Sequence, residues 1–361
     1  MTDVLILGGY GNFGKRIAEL LTRQNIHVTI VGRDANKAQA LAAQLPKDHI
    51  QIATADANTQ LPQLLSQLAP RVVINTCGPF QECGYEIANT CIGHGVHYID
   101  LADGREFVRG FSALDASAQA HHVTAITGAS TVPALSSAVL EHYRQTFHTI
   151  DCLDFGIAPG QRAERGLATT RAILGYVGKK LLPCAGYPVR YGWQDTHLQR
   201  YPVIGSRWMS NCEIPDLDLL PTHYGIRKIR FSAGMENPLV HLGICALSWL
   251  VRLGIPLNLA HFAAPLLKSS NFFDFIGSAD GGMHMHIHGT DHAGNDIEKQ
   301  WFIIGLDGDG PYIPTIPAVV LTKHILSGTY TRTGAFACVG QVSLEDYLSE
   351  LSHLKVSTYT P

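Results

Sequence analysis

Three glycines near the start of the chain, Gly9, Gly11 and Gly14, stand at the G-x-G-x-x-G spacing. Each answers a different demand of a bound dinucleotide. Gly9 permits a tight turn out of a strand, Gly11 lets a pyrophosphate approach the backbone with no Cβ in the way, and Gly14 lets a helix pack close to that strand. Tyr10, Asn12 and Phe13 occupy the positions between them and belong to the same cofactor loop. The helix that follows would hold phosphates with its first-turn amides and the positive end of its dipole. Alone, such a spacing is weak. Here it follows the buried-strand run Val4-Leu5-Ile6-Leu7 and precedes the helical recurrence Ile17, Leu20, Leu21, which is the context the motif needs.

The next informative group is Gly32-Arg33, which ends the strand 27–31, with Lys37 one helical turn further on. A site for NAD usually carries Asp or Glu there to accept from the ribose 2′-hydroxyl. Glycine leaves room for a 2′-phosphate, and a guanidinium binds it through charge-assisted hydrogen bonds. The expected cofactor is therefore NADP(H) rather than NAD; otherwise Arg33 and Lys37 are ordinary surface cations. Asp34 is placed to cap the helix of residues 35–45. Asp56, leaving a third strand, either lies beside the adenine ring or caps the next helix. The loop Thr76-Cys77-Gly78-Pro79-Phe80 leaves the fourth strand at its carboxyl end, where ligands collect in open α/β sheets.

Chemistry on such a cofactor is hydride transfer, which needs a near-attack geometry and one group to manage a proton. Asp100 and Asp103 flank Leu101-Ala102 at the end of the fifth strand, with His97 and Tyr98 just before them. Asp100 is the first candidate for acid/base or orienting group, with Asp103 and Tyr98 beside it. Against this stands the common use of a strand-end aspartate to satisfy loop amides. Cys77 reads as a packed small residue, because nothing near it in sequence would lower its pKa. Glu82 and Ser130 are candidate substrate contacts. Arg105, Arg162, Arg165 and Arg171 could take an amino-dicarboxylate, although nothing in the sequence turns them toward a cleft. No Tyr-x-x-x-Lys pair of short-chain reductases occurs within the nucleotide-binding segment, residues 1–133.

These residues need a scaffold. Strand signals at 4–7, 27–31, 50–54, 71–75, 96–101 and 123–126 alternate with helical periodicity. That predicts an α/β protein: an N-terminal Rossmann domain over residues 1–133, a doubly wound parallel sheet with right-handed crossovers. Residues 134–314 read as a second, α+β domain with a mainly antiparallel sheet, and the segment 315–361 is a candidate to return to the first. In the second domain Met283-His284-Met285-His286-Ile287-His288 alternates strictly and, with the turn 291–296 and strand 297–306, predicts a hairpin. Its three histidines are expected on an exposed polar face over a Met/Ile core, with no metal site. Leu239 to Leu267 is mostly helical and apolar, broken at Gly254-Ile255-Pro256: a buried helix pair first, otherwise a dimer face or the wall for a greasy substrate. Asp-Gly and Pro fix a rigid turn at 308–317 before an apolar helix at 318–326, and Ser343 is placed to cap a last helix with Asp346.

Four segments carry a family resemblance: Gly8 to Gly14, Val31-Gly32-Arg33, Asn75 to Phe80, and His97 to Leu101. In order and approximate spacing they resemble the NADP-binding domain of the saccharopine dehydrogenase family. The resemblance implies an NADP-linked oxidoreductase, with the Cys77-Gly78-Pro79-Phe80 loop beside the nicotinamide half of the cofactor. It does not imply saccharopine as substrate, because the family also includes homospermidine synthases, lysine dehydrogenases and lipid-linked reductases.

Composition sets the outer limits. With 46% hydrophobic and 16% charged residues in 361, the chain is expected to be an ordered globular protein of two domains or of one domain with a large insertion. A net charge of -3 and the absence of any lysine or arginine block give no reason to expect nucleic-acid binding. No basic leader precedes the first strand, and Leu239–Val251 is too short to span a bilayer, so no integral membrane association is expected. The eight cysteines form no C-x-x-C pair, which suits a reducing cytoplasm. Together these features lead to an NADPH-dependent oxidoreductase acting on a small molecule, either an amino-acid imine or a lipophilic carbonyl or enoyl compound, in a homodimer. The competing expectation is a sensor that binds NADP(H) without turnover.

Overall fold

The structure, a computed structural model, describes residues 2–164 and 166–361. The chain forms two compact units. One runs to Ala138 and takes in Pro314–Glu350; the other comprises Val139–Ile313 and Leu351–Pro361.

The first unit is built on β1 (Val4–Leu7), β2 (Val28–Gly32), β3 (Ile50–Thr54), β4 (Val72–Asn75), β5 (His97–Asp100), β6 (Thr124–Thr127) and, from near the C-terminus, β13 (Gly334–Ala337). All seven are parallel, in the order β13-β6-β5-β4-β1-β2-β3. Every residue of β1 and β4 is buried, as strands covered on both faces must be. Three crossover helices serve the nucleotide half: α1 (Asn12–Arg23), α2 (Ala35–Ala42) and α3 (Ala57–Leu68). α1 buries Ile17, Ala18, Leu20 and Leu21. The winding direction reverses between β1 and β4, which makes their carboxyl ends the switch point of the sheet.

The seventh strand has no strand signal in the sequence, because Gly334-Ala335-Phe336-Ala337 carries no β-branched residue. It is held by pairing with β6 and by Asp115, whose Oδ1 accepts the Ala335 N–H at 2.9 Å. The helix Ile316–Ser327 is buried from Ile316 to Thr322 and packs against α1 and β4. Ser343 caps the helix Leu344–Glu350, its hydroxyl accepting the Asp346 N–H at 3.0 Å. The last eleven residues go elsewhere: β14 (Val356–Tyr359) adds to the sheet of the second unit.

That sheet contains β7 (Thr149–Ala158), β8 (His197–Tyr201), β9 (Gly205–Asn211), β10 (Lys228–Met235), β11 (Gly281–Thr290) and β12 (Asp296–Gly305), in the order β14-β12-β11-β7-β10-β9-β8. All its pairings are antiparallel except that of β7 with β10. The expected hairpin is β11–β12, closed by Asp291, whose Oδ1 accepts the N–H groups of Ala293 and Asn295.

The histidine face of β11 is not the uniformly exposed surface expected. His288 is exposed and His286 half-buried, but His284 is fully buried. The sheet curls far enough for Tyr201, across three intervening strands, to hydrogen-bond His284 Nδ1 at 2.8 Å. Gly156 in β7 gives the ring its space, since a Cβ there would lie 2.8 Å from His284 Cε1. Burial lowers the pKa of both His284 and His286, so both stay neutral at neutral pH. Among the described residues no group of three or more His, Cys, Asp or Glu could hold a metal ion.

The apolar segment 239–267 also differs from a buried helix pair. The helix Pro238–Arg252 turns His241, Cys245 and Ser248 inward and leaves Leu239, Leu242, Trp249 and Leu250 exposed.

Removing the Tyr201 hydroxyl tests the curl. Tyr201→Phe leaves a buried ring nitrogen unpaired and should lower unfolding free energy by about 1–3 kcal/mol. The readout is a lower urea midpoint at unchanged slope; an unchanged midpoint would mean that the bond carries none of the curvature.

Candidate functional site

The glycine loop is fixed from several sides. Gly8 adopts φ +74°, and the N–H groups of Gly8 and Gly9 donate to the Val31 carbonyl at 2.9 and 3.2 Å, tying the loop to the end of β2. A Cβ on Gly9 would lie 2.5 Å from Ile30 Cβ, and one on Gly14 would collide with the Gly8 carbonyl oxygen. Gly11 differs: its Cβ would meet only that oxygen, at 3.0 Å, and otherwise open space. Gly11 also sits at the N-cap of α1, where it brings no side-chain acceptor, and the first turn holds no acidic residue. An anion can therefore come close to the backbone there and meet the helix amides and dipole. The Asn12 side chain accepts from Arg16, which also donates to the Asn12 carbonyl at 2.6 Å, and Phe13 is half-buried.

At the end of β2 the reason for glycine is different from the one expected. A Cβ on Gly32 would lie 2.6 Å from Tyr10 Cζ, so the ring of Tyr10, rather than free space, fills that side of Gly32. The Tyr10 hydroxyl accepts the Asp34 N–H at 3.0 Å. Arg33 is exposed, and its charge reaches the Cys77 thiol. Lys37 is a solvent-exposed neighbour of Asp34, 3.8 Å from its Oδ2. Asp34 caps α2 and Asp56 caps α3, the latter through an Oδ1 that accepts the Asn58 N–H at 3.0 Å. Of the two uses expected of Asp56, the cap is formed, and it does not exclude a place beside the adenine ring.

The loop after β4 meets the glycine loop at the switch point. Thr76 Oγ1 donates to the carbonyls of Leu7 and Gly8, at 2.8 and 3.2 Å. A Cβ on Gly8 would lie 3.1 Å from Cys77 Sγ, so these two loops are in close approach. Asn75, the polar end of a buried strand, accepts the Cys77 N–H at 3.0 Å and donates to the Tyr98 hydroxyl at 3.1 Å. Burial pushes the Cys77 thiol up to about 11 against the opposing pull of Arg33, so it stays protonated and is no nucleophile. Gly78 is exposed, Pro79 half-buried, and Phe80 buried against Phe107 at 5.4 Å between ring centroids.

The residues at the end of β5 separate into framework and surface. Tyr98 is buried, stacked on Phe111, and its hydroxyl is pushed well above its ordinary pKa by burial. It is a core residue and not an acid/base. Asp100 is likewise fully buried: its Oδ1 accepts from Thr127 Oγ1 at 2.8 Å and from the Gly128 and Ala102 N–H groups at 2.9 Å. A proton carrier must reach its substrate directly or through one water, and Asp100 is instead the clamp that joins the ends of β5 and β6. Asp103 is half-buried and accepts from Gln81 Nε2 at 3.1 Å, linking the loops after β4 and β5; burial raises its pKa. His97 accepts the Thr124 N–H on Nδ1, and burial lowers its pKa. Glu82 is exposed and Ser130 half-buried. Of the arginines, Arg105 is buried in the first unit, Arg162 and Arg171 are exposed in the second, and Arg165 lies outside the described residues.

Asp100 supplies a stability test. Burial pushes its carboxyl from 3.8 up to about 6, against the opposing pull of its hydrogen-bond donors. The folded state thus holds this proton more tightly than the unfolded chain, and the associated stability is full below pH 3.8 and lost as pH rises through 6. Asp100→Ala orphans three donors and should cost about 3 kcal/mol or more. Asp100→Asn keeps an acceptor and should abolish this part of the pH dependence. Thermal melts of both variants across acid pH check the two outcomes.

Residues 4–142 match the family model of the saccharopine dehydrogenase NADP binding domain. Over 136 residues the chain is 29% identical to a Mycobacterium tuberculosis protein named as a trans-acting enoyl reductase, covering 37% of this chain and 31% of that protein. Over 94 residues it is 35% identical to a 3-ketodihydrosphingosine reductase of Cryptococcus neoformans, covering 24% of this chain and 26% of that protein. The matches thus span less than a third of each relative's length. Saccharopine dehydrogenase (L-Glu forming) of Saccharomyces cerevisiae superposes with a TM-score of 0.64 over 100% of both chains at 13% identity, a likeness of fold. The glycine cradle, open over Gly11 and free of acidic residues, fits the pyrophosphate of a dinucleotide. Residues 4–142 therefore form a domain of the saccharopine dehydrogenase NADP-binding family, with NADP(H) as its cofactor.

Proposed function

We propose that the chain is an NADP(H)-dependent oxidoreductase that reduces a lipophilic carbonyl or enoyl compound. The observation that carries this reading is the switch point, where a glycine cradle suited to a dinucleotide lies against the Thr76–Phe80 loop. When bound, the nicotinamide would supply the hydride. The chain's own residues hold and orient. The first-turn amides of α1 and its dipole take the pyrophosphate, Arg33 takes the 2′-phosphate, and Cys77 to Phe80 bound the nicotinamide end. Tyr10, seated on Gly32, closes the position where an NAD site would carry its acidic residue.

Asp103 is the group we assign to the proton. It lies on the carboxyl side of the sheet, is half-buried rather than sealed in the core, and its pKa, raised by burial, keeps the acid form present at higher pH than usual. Asp100 is a positioning residue behind it, holding Ala102 by the backbone. The lipophilic class is supported by the names of the two sequence relatives, an enoyl reductase and a 3-ketodihydrosphingosine reductase.

Two measurements test this. In calorimetric titration, Arg33→Ala should weaken NADPH binding at least about tenfold while leaving NADH binding unchanged. Equal losses for both nucleotides would remove the 2′-phosphate role. With 2-enoyl and 3-keto acyl substrates, Asp103→Asn should lower kcat about a hundredfold or more with little change in KM. The wild-type rate should fall on the alkaline side as Asp103 loses its proton, and that limb should vanish in the variant. NADPH binding without hydride transfer to any of these compounds would instead indicate a sensor.

A further inference from the structure

The helix Pro238–Arg252 is apolar on both sides. Its inward face carries His241, whose Nε2 hydrogen-bonds Ser210 Oγ at 2.9 Å, Ser248, whose Oγ donates to the Trp193 carbonyl at 3.2 Å, and Ile244, Leu247 and Val251, which pack on the buried cluster around Cys245. Leu239, Leu242, Trp249 and Leu250 face water. The pattern continues past the helix end. Leu253 is 77% exposed, Phe272 75% and Phe275 77%, with Ile255, Phe262 and Ile276 also exposed. This helix and the helix Ala263–Asn271 share one buried cluster around Cys245, Leu259 and Ala263, so the exposed residues come from neighbouring elements of the second unit. An apolar surface of this extent marks an interaction site.

Charge decides between occupants. No aspartate or glutamate occurs from Leu239 to Phe273, in a chain that carries 30 acidic residues. Arg252 and Lys268 are the charged residues of that stretch, both exposed. Asp274, just beyond it, is half-buried and accepts from Gln161 Nε2 at 2.9 Å. A second copy docking through the same face would set these cations against themselves with no carboxylate in the stretch to pair them. An anionic lipid surface supplies the opposite charge and an apolar layer together.

We propose that this face seats the protein on an anionic membrane, with the apolar side chains in the boundary between headgroups and acyl chains. The most exposed side chains, Leu253, Phe272 and Phe275, stand beside chain turns. A fluid acyl layer accepts such side chains without a matching surface. The Arg252 guanidinium lies over Tyr191 and Trp249, at 3.9 and 4.9 Å from their centroids, joining a cationic head to aromatic rings as interfacial positions favour. The helix has 15 residues, about 22 Å of length against the roughly 30 Å of a hydrocarbon core. Among the described residues no helix is long and apolar enough to cross a membrane. The face therefore lies on the bilayer and does not span it.

Flotation of the full chain tests the proposal, using vesicles of phosphatidylcholine alone or mixed in equal parts with phosphatidylglycerol. The protein should rise with the anionic vesicles, less with the neutral ones, and less again at high salt. The double variant Leu253→Glu, Phe275→Glu should lower the bound fraction at least about tenfold. Both positions are mostly exposed, so the variant should keep the wild-type melting curve and NADPH affinity. Those two measurements also separate a failure here from a failure of the nucleotide reading. No flotation, or flotation unchanged in the double variant, overturns the proposal. So does a dimer, seen by light scattering in protein that does not float, that the double variant dissolves.

Discussion

One carbonyl oxygen organises the nucleotide end of the first unit. The oxygen of Gly8 accepts the Gly11 N–H at 2.8 Å and the Thr76 hydroxyl at 3.2 Å, and it lies where a Cβ on Gly14 would have to be. Two of the three motif glycines are thus explained by a single atom. Gly14 must be bare because α1 begins against that oxygen. Gly11 turns back to it and so leaves its own outer side open. The same oxygen ties the end of β1 to the loop after β4, where the sheet changes direction. The pyrophosphate cradle and the loop assigned to the nicotinamide are held in one hydrogen-bonded unit.

Behind this lies a division of labour between two aspartates three residues apart. Asp100 has exchanged water for three donors fixed by the strand ends, and burial still leaves its carboxyl raised to about 6. A charge held at that cost is a device for geometry: it fixes the backbone at Ala102 and Gly128 and so the loop that carries Asp103. Asp103 is raised in the same direction but is half-buried rather than sealed in the core, as a proton-carrying group must be. The roles proposed for the two differ with their exposure, fully buried at Asp100 and half-buried at Asp103.

Local pattern was enough for much of this. The six N-terminal strands, the caps at Asp34, Asp56 and Ser343, and the β11–β12 hairpin depend on neighbours within a few residues, and there periodicity and capping chemistry are informative. What escaped depends on distant pairing. Tyr10 and Gly32 are one structural unit built from two motifs, so the glycine looked like room for phosphate when it is the seat of a ring. His284 looked exposed because strict alternation assigns a face without saying how far the sheet curls. β13 and β14 are four-residue strands whose existence rests on partners far away in the chain. The direction of the helix Pro238–Arg252 is hidden for another reason: its apolar residues run nearly all round, so periodicity does not say which stripe faces in, and Ile244, Leu247 and Val251 pack inward beside the hydrogen-bonded His241 and Ser248.

That last case limits the usual inference from apolarity to core. A helix gains its stability by burying its larger apolar side chains, and here Ile244, Leu247 and Val251 pack inward while Leu239, Leu242, Trp249 and Leu250 do not. Folding of the isolated chain therefore gains little from the leucines, phenylalanines and tryptophan on the outer side, and their exposure carries an aggregation risk. Such residues persist where something other than this chain covers them. A lipophilic substrate and a lipid surface would be covered by one explanation: an enzyme resting on a bilayer meets a membrane-dissolved substrate at far higher local concentration than it would in water. The two readings stay separable, since the surface can hold the protein at a membrane whatever the nucleotide site reduces.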